Sequence, residues 1–246
     1  METNIKAVIL AAGKGTRLIT EDDDSPKVMR KACGKPLLWH VLQALSFIRK
    51  EDTIVVAGYR KEEVMESFGG YIYAVQTEQL GTGHAVMAAG DELRGFGGSV
   101  LVCCGDMPAI RRETYEALVK VHFDQDNDCT MLTGESAISL PYGRIIRGAD
   151  GAYLKTVEER DCTAEQLAVT ELNSGVYIFR AQNLLDALRS LKSDNAQGEY
   201  YLTDVPAIMR AGGARIGICK RDLGDEIIGV NTQEQLLQVE EILRRR

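Results

Sequence analysis

The sequence predicts an α/β fold: a Rossmann-like, doubly wound, mostly parallel sheet carrying a smaller inserted lobe. Three observations predict it. Apolar, β-branched runs alternate with helical periodicities along the chain, which is the signature of repeated strand–helix–strand units with right-handed crossovers. The early runs are apolar at every position, as in Ala7-Val8-Ile9-Leu10-Ala11, which is the pattern of a strand buried on both faces. The alternation then weakens between about Ser136 and Ala168, where an inserted lobe or long connection fits.

The elements follow in order. A first strand, Ile5–Ala11, runs into a Gly-rich turn. Helical spacing of apolar residues covers Pro36–Arg49, then a strand is expected at Thr53–Ala57 and a helix at Lys61–Phe68. The series continues with strand Tyr71–Val75, helix Gly83–Leu93, strand Ser99–Cys104, helix Arg112–Asp124 and strand Thr130–Thr133. Beyond the weak stretch come strand Gly175–Phe179, helices Ala181–Leu191 and Tyr200–Ala211, strands Arg215–Cys219 and Glu226–Val230, and a last helix, Gln233–Arg245. No hexapeptide period or other internal repeat is present.

Composition narrows the class. The chain has 246 residues, room for one domain or a large and a small lobe. With 45% hydrophobic and 26% charged residues it is an ordinary globular chain. A formal net charge of −7 and a pI near 5.2 give no bulk attraction for nucleic acid or an anionic membrane, so neither is expected as a partner. No apolar run approaches the roughly 18–20 residues of a membrane span, and the acidic, polar start is unlike a signal peptide. Six cysteines without a CxxC pair point to free, buried thiols and a cytoplasmic protein.

In open α/β sheets ligands sit beyond the carboxyl ends of strands, so the residues after each apolar run matter most. Strand Ile5–Ala11 leads into Ala12-Gly13-Lys14-Gly15-Thr16-Arg17. Small residues let successive backbone N–H groups turn toward an anion, and Lys14 and Arg17 add charge. The residue types fit phosphate binding, or a solvated Gly-rich turn. Neither a Walker motif nor GxGxxG is present, since Leu18 stands at the third Gly position. An acidic run, Glu21 to Asp24, reads as a solvated loop; Pro26 then fixes the backbone before Lys27. Gln76-Thr77-Glu78-Gln79-Leu80-Gly81-Thr82-Gly83-His84 follows a strand and opens a helix. Gln76 offers both a donor and an acceptor, which suits a pyrimidine edge, while His84 reads as a structural residue. Strand Ser99–Cys104 ends in Gly105-Asp106, a carboxylate placed either to cap a turn or to hold a hard cation such as Mg2+.

Leu10 to Arg17, Ser25-Pro26-Lys27-Val28 and Gly34-Lys35-Pro36, in this order and spacing, resemble the sugar-1-phosphate nucleotidyltransferases. The Gln76–Ala85 block is similar to the N-terminal uridyltransferase domain of the bifunctional GlmU-type enzymes. Further matches are Tyr142-Gly143-Arg144, Thr156-Val157-Glu158-Glu159, Glu171-Leu172-Asn173 and Asn195 to Asp204, so the likeness runs from about Ile5 to about Leu236. The resemblance implies a nucleotide-diphospho-sugar transferase fold whose inserted lobe binds the sugar. It implies transfer of UMP from UTP to a sugar 1-phosphate, N-acetylglucosamine 1-phosphate above all, with release of pyrophosphate. Arg17 and Lys27 would be catalytic. Leu10, Ala11, Ala12, Gly13, Lys14, Gly15, Gln76, Gln79, Gly81, Thr82, Cys104 and Gly105 would bind the nucleotide. Gly143, Glu158 and Asn173 would bind the sugar, and Asp106 with Asn231 would hold Mg2+. A nucleotide-binding part of about 1–110, a sugar-binding part of about 111–231 and a C-terminal helix over 232–246 are expected, without a hexapeptide-repeat acetyltransferase domain. Two features depart from the family: Cys104 stands where a Tyr is usual, and the loop from Arg17 to Lys27 is longer and acidic. Thymidylyl or uridylyl transfer to glucose 1-phosphate or another hexose, or a non-catalytic sugar-nucleotide-binding protein, are the competing expectations.

Overall fold

The computed structural model describes residues 4–20, 23–135 and 140–246. Glu21 and Asp22 of the acidic run, the first three residues, and 136–139 of the weakly patterned stretch lie outside them. The chain forms strands β1 (Ile5–Ala11), β2 (Lys31–Ala32) and β3 (Lys35–Pro36), helix α1 (Leu37–Ala44), β4 (Thr53–Ala57), α2 (Lys61–Ser67) and β5 (Ile72–Val75). There follow α3 (Thr82–Ala88), α4 (Gly90–Leu93), β6 (Ser99–Cys104), α5 (Arg112–Asp124) and β7 (Cys129–Glu135). Then come β8 (Arg144–Arg147), β9 (Tyr153–Val157), α6 (Ala164–Leu167), β10 (Glu171–Arg180), α7 (Ala181–Leu188), α8 (Val205–Ala211), β11 (Ile216–Arg221) and α9 (Gln233–Arg244).

The main sheet has the order β11-β7-β10-β6-β1-β4-β5. All neighbouring pairs in it are parallel except those made by β10, which runs antiparallel to both β6 and β7. The reason is connectivity. The chain leaves β7 at its carboxyl end, builds the β8–β9 ribbon, and re-enters the sheet at that same end, so the returning strand must be reversed. The ribbon hangs from β10 through the Leu172–Arg144 pair. One edge of the sheet therefore collects the carboxyl ends of the parallel strands and the amino end of β10.

Side chains of β1 show the period of two that places them on opposite faces. Ile5, Ala7, Ile9 and Ala11 join the layer formed by α1, α2 and α5, whereas Val8 joins the layer formed by α3, α4, α7 and α8. A third cluster seats α9, through Leu236, Val239 and Ile242, on Ile228, Val230, Leu18 and Leu37. Among the described residues no helix is long and apolar enough to cross a membrane.

Several expectations need correction. Glu226–Val230 is not a strand: Gly224–Ile227 forms a 3-10 turn, and Ile228 and Val230 are buried under α9 instead of pairing in the sheet. The helix expected from Tyr200 begins at Val205, after a 3-10 turn at Leu202–Asp204 and an extended segment. The helix expected over Gly83–Leu93 is two short helices meeting at Ala89. All six cysteines are free, as expected, but only Cys103, Cys129 and Cys219 are buried; Cys104 and Cys162 are half-buried and Cys33 is exposed. The described half of the acidic run is tied down: Asp23 pairs with the buried Arg30, and Asp24 with Arg60.

Candidate active site

Among the described residues, two cavities of about 200 and 240 Å3 adjoin at the carboxyl edge of the sheet. Leu10, Thr82, Cys104 and Asp106 line both, so these residues form the seam between them. The first cavity is walled by the β8–β9 lobe and β10, and the second by the turn after β1 and the loop before α3.

The Gly-rich turn is built to bring Lys27 close. Gly15 has φ +68°, and a Cβ there would stand 2.7 Å from the Lys27 Cβ. Glycine is thus demanded twice, by the left-handed backbone and by the close approach. Pro26 leads into the 3-10 turn Lys27–Met29, where Val28 is buried and anchors the lysine from below. Lys14 leans away, its ammonium 5.1 Å from the centre of the Tyr59 ring. Arg17 lies exposed on the 3-10 turn Thr16–Leu18, whose Leu18 is buried under α9.

Asp106 follows β6, and a backbone bond draws the distant Asn231 to it: the Val230 N–H donates to the Asp106 carbonyl at 2.9 Å. Helix α9 holds that segment through a capping box. Thr232 caps the Gln235 N–H, and Gln235 Oε1 accepts from the N–H groups of Asn231 (2.8 Å) and Thr232 (3.1 Å). Lys27 Nζ is seated between these residues, bonded to Asp106 Oδ2 and, at 2.7 Å, to Asn231 Oδ1. Two hard oxygen donors from elements 125 positions apart thus already converge on a cation, an arrangement that fits Mg2+. Among the described residues no cluster of three or more His, Cys, Asp or Glu could hold a metal. A metal here would rest on one carboxylate and one amide, leaving its remaining positions to phosphate and water, as Mg2+ prefers.

In the second cavity Gln76 is 4% exposed, and its Nε2 donates to the Gly81 carbonyl (3.1 Å) and to His84 Nδ1 (3.1 Å). His84 therefore accepts at Nδ1 and orients the amide, a structural role exercised at the site itself. Gly81 caps α3 at φ +106°, and a Cβ there would meet the Tyr200 carbonyl at 2.7 Å. The segment Glu199–Leu202 is laced to this loop: Tyr200 N–H to Leu80 O (2.8 Å), Gly83 N–H to Tyr200 O (2.7 Å), Leu202 N–H to Thr82 Oγ1 (3.1 Å).

In the first cavity Glu158 accepts from Thr203 Oγ1 at 2.9 Å. Burial raises its pKa above the usual carboxylate value of 4.5, with Asp204 adding to the rise and the Thr203 bond opposing it. Asn173 lies before a bulge in β10 at Gly175 (φ +75°), and its Nδ2 donates to the Tyr177 hydroxyl at 2.6 Å. The Gly143 carbonyl accepts from the Asn173 N–H at 2.9 Å. Burial also raises the Cys104 thiol, so a neutral thiol stands on the seam.

Of the residues singled out in the sequence, Leu10, Ala12, Gly13, Lys27, Gln76, Gln79, Gly81, Thr82, Cys104 and Asp106 line the second cavity. Gly143, Glu158, Asn173 and Asn231 line the first. Ala11, Lys14, Gly15, Arg17 and Gly105 line neither: Ala11 points into the core, and Gly105 donates its N–H to the Leu10 carbonyl at 2.9 Å. Sequence reasoning did not assign Tyr142, Glu199 or Thr203, all of which line these cavities. All three fall within blocks that it noticed, Tyr142 in Tyr142-Gly143-Arg144 and the other two in Asn195 to Asp204.

Comparison with known proteins is decisive for the family. A family model described as the MobA-like NTP transferase domain matches residues 7–204. The chain belongs to that family. The chain is 41% identical over 244 residues to a protein of Clostridioides difficile strain 630 named "Bifunctional protein GlmU", covering 99% of this chain and 52% of that protein. A protein of the same name from an Exiguobacterium species is 44% identical over 241 residues, covering 98% and 53%. The chain thus spans about half the length of these curated relatives. A crystal structure from Bacillus anthracis, provisionally named a glucose-1-phosphate thymidylyltransferase, superposes with a TM-score of 0.74 at 16% identity. It covers 98% of this chain and 96% of its own, and it supports the nucleotidyltransferase fold.

Proposed function

We propose that this NTP transferase moves UMP from UTP to a sugar 1-phosphate, with N-acetylglucosamine 1-phosphate as the preferred acceptor and pyrophosphate as the by-product. The observation that carries the reading is the pair of cavities sharing Asp106, with Lys27 on one side and Asn231 on the other. Such a bipartite cleft suits two substrates that must meet at one phosphorus.

Gln76 favours uracil or thymine. Its Nε2 is committed to Gly81 and His84, and among the described residues its Oε1 has no protein partner. That oxygen can accept from the ring N–H that uracil and thymine carry and cytosine lacks. Glu158 and Asn173, with the Gly143 turn, present acceptor and donor groups to sugar hydroxyls. The attacking phosphate oxygen is already anionic, so no general base is required. What the protein must do is align the oxygen with the α-phosphorus and offset the repulsion of two polyanions. Lys27, bonded to Asp106 on the seam, would meet those phosphates, and Arg17, on the adjoining turn, would offer a second positive charge to the departing pyrophosphate. Asp106 and Asn231 would hold Mg2+, which would supply positive charge against the phosphates.

Pyrophosphate release tests this, with UTP, dTTP, CTP and ATP each offered with N-acetylglucosamine 1-phosphate and with glucose 1-phosphate. UTP with N-acetylglucosamine 1-phosphate should turn over fastest. Protection of the fold by UTP without pyrophosphate from any pair would overturn the proposal in favour of a binding protein.

A further inference from the structure

Lys27 sits where a metal would sit. Its ammonium bonds both Asp106 Oδ2 and Asn231 Oδ1, the two oxygens that fit a hard cation. These side chains are only 15% and 19% exposed for the ion pair, so water screens the contact incompletely. An ammonium and a divalent ion cannot share one carboxylate oxygen and one amide oxygen at contact distance without strong mutual repulsion.

We propose that Lys27 is the resident cation of the Asp106–Asn231 pair in the substrate-free protein, and that a divalent metal enters the pair only as a polyphosphate draws the ammonium away. The inference rests on the nucleotidyltransferase reading and adds an order to it. Gly15 holds the base of the lysine, with no room for more than a hydrogen on its Cα, so the exchange is a swing of the outer side chain from carboxylate to phosphate. The lysine keeps the carboxylate neutralised before substrate arrives. Its release is then linked to binding, and linkage is reciprocal: polyphosphate strengthens metal binding, and metal strengthens polyphosphate binding through Lys27. The metal alone should bind poorly, so the protein would take up nucleotide and metal together instead of holding a resident ion.

The test is binding of Mn2+ alone, without nucleotide, followed by the electron paramagnetic resonance of the free ion. Lys27→Met, which keeps the length and removes the charge, should bind Mn2+ about tenfold more tightly than the wild type, on the scale of one charge-assisted hydrogen bond. Adding Asp106→Asn should abolish the gain. Lys14→Met removes the same charge from the same region without touching the pair, and should change affinity by less than about twofold. If Lys27→Met fails to fold, as judged by circular dichroism, Lys27→Gln carries the same expectation. Unchanged or weaker Mn2+ binding in the Lys27 variants, or an equal gain in Lys14→Met, would overturn the proposal. Pyrophosphate formation by the wild type is scored separately. An active enzyme with no gain rejects only the ammonium exchange, whereas inactivity with every substrate pair rejects the parent reading.

Discussion

Gly15 shows how much of the site is decided by a single missing side chain. Its φ of +68° costs an alanine about 1–2 kcal/mol, and the new Cβ would stand 2.7 Å from the Lys27 Cβ and 3.0 Å from its Cγ. The turn is exposed while Lys27 is confined between Val28, Asp106 and Asn231, so the strain falls on the lysine's position more than on the core. Gly15→Ala should lower the melting temperature by a few degrees but reduce kcat/KM by about 10²-fold, the scale on which small misplacements of a catalytic group act. Thermal unfolding beside steady-state pyrophosphate release checks the split. A variant whose activity falls no further than its folded fraction would show that the lysine's placement does not govern turnover.

The elements are joined at the site by side chains that bridge long sequence separations. Tyr142, in the turn before β8, donates its hydroxyl to the Ile227 carbonyl and accepts from the Gly229 N–H, both at 2.8 Å. Arg144 Nη1 braces the same turn from below through the carbonyls of Leu140 and Tyr142. The lobe that carries Gly143 is thereby fastened to the segment that delivers Asn231. Tyr142→Phe leaves a carbonyl and an N–H unpaired, which typically costs about 1–3 kcal/mol. We expect the metal concentration for half-maximal turnover to rise about tenfold, while KM for the nucleotide at saturating metal stays put. An unchanged metal requirement would show that the bridge does not set Asn231. Such bridges explain what the sequence could and could not disclose. The all-apolar runs of β1, β4 and β6 were legible because burial on both faces leaves one pattern. Strands β8 and β9 were not, since Leu154 and Lys155 are both exposed between buried Tyr153 and Thr156 and break the alternation. The stretch Glu226–Val230 reads as a strand because periodicity reports burial, and here Ile228 and Val230 are buried against α9 and Ile227 in the core beneath the sheet. The loop glycines, Lys27 and Asp106 were legible from motif order. Thr203 on Glu158 and Tyr142 on Gly229 bridge 45 and 87 positions, for which no local spacing exists.

Across the molecule, the reversed strand β10 must be held between two parallel neighbours, and His122 ties the layers there. It projects from α5 and bonds Ser99 Oγ of β6 through Nε2 (3.1 Å) and Thr130 Oγ1 of β7 through Nδ1 (3.0 Å), straddling β10. The ring is 2% exposed, and burial, aided by Arg180, lowers its pKa from 6.5 to about 4. The neutral ring belongs to the folded state. Between pH 6.5 and 4 the unfolded chain takes up a proton that the folded protein refuses, so this contribution is complete above pH 6.5 and is lost as the pH falls through that window. The loss amounts to about 2 kcal/mol at pH 5 and approaches about 3 kcal/mol only below pH 4, where the folded ring is protonated as well. Glu158 and Asp204, whose pKa values are raised, act in the opposite sense, since they gain protons more readily when folded. The histidine term is therefore isolated by difference. His122→Gln should be less stable than the wild type at pH 7.5, and the gap should narrow by about 2 kcal/mol at pH 5, measured by urea unfolding at both pH values. A gap that stays constant would mean the ring titrates alike in both states, and that the lock between helix and sheet does not depend on its neutral form.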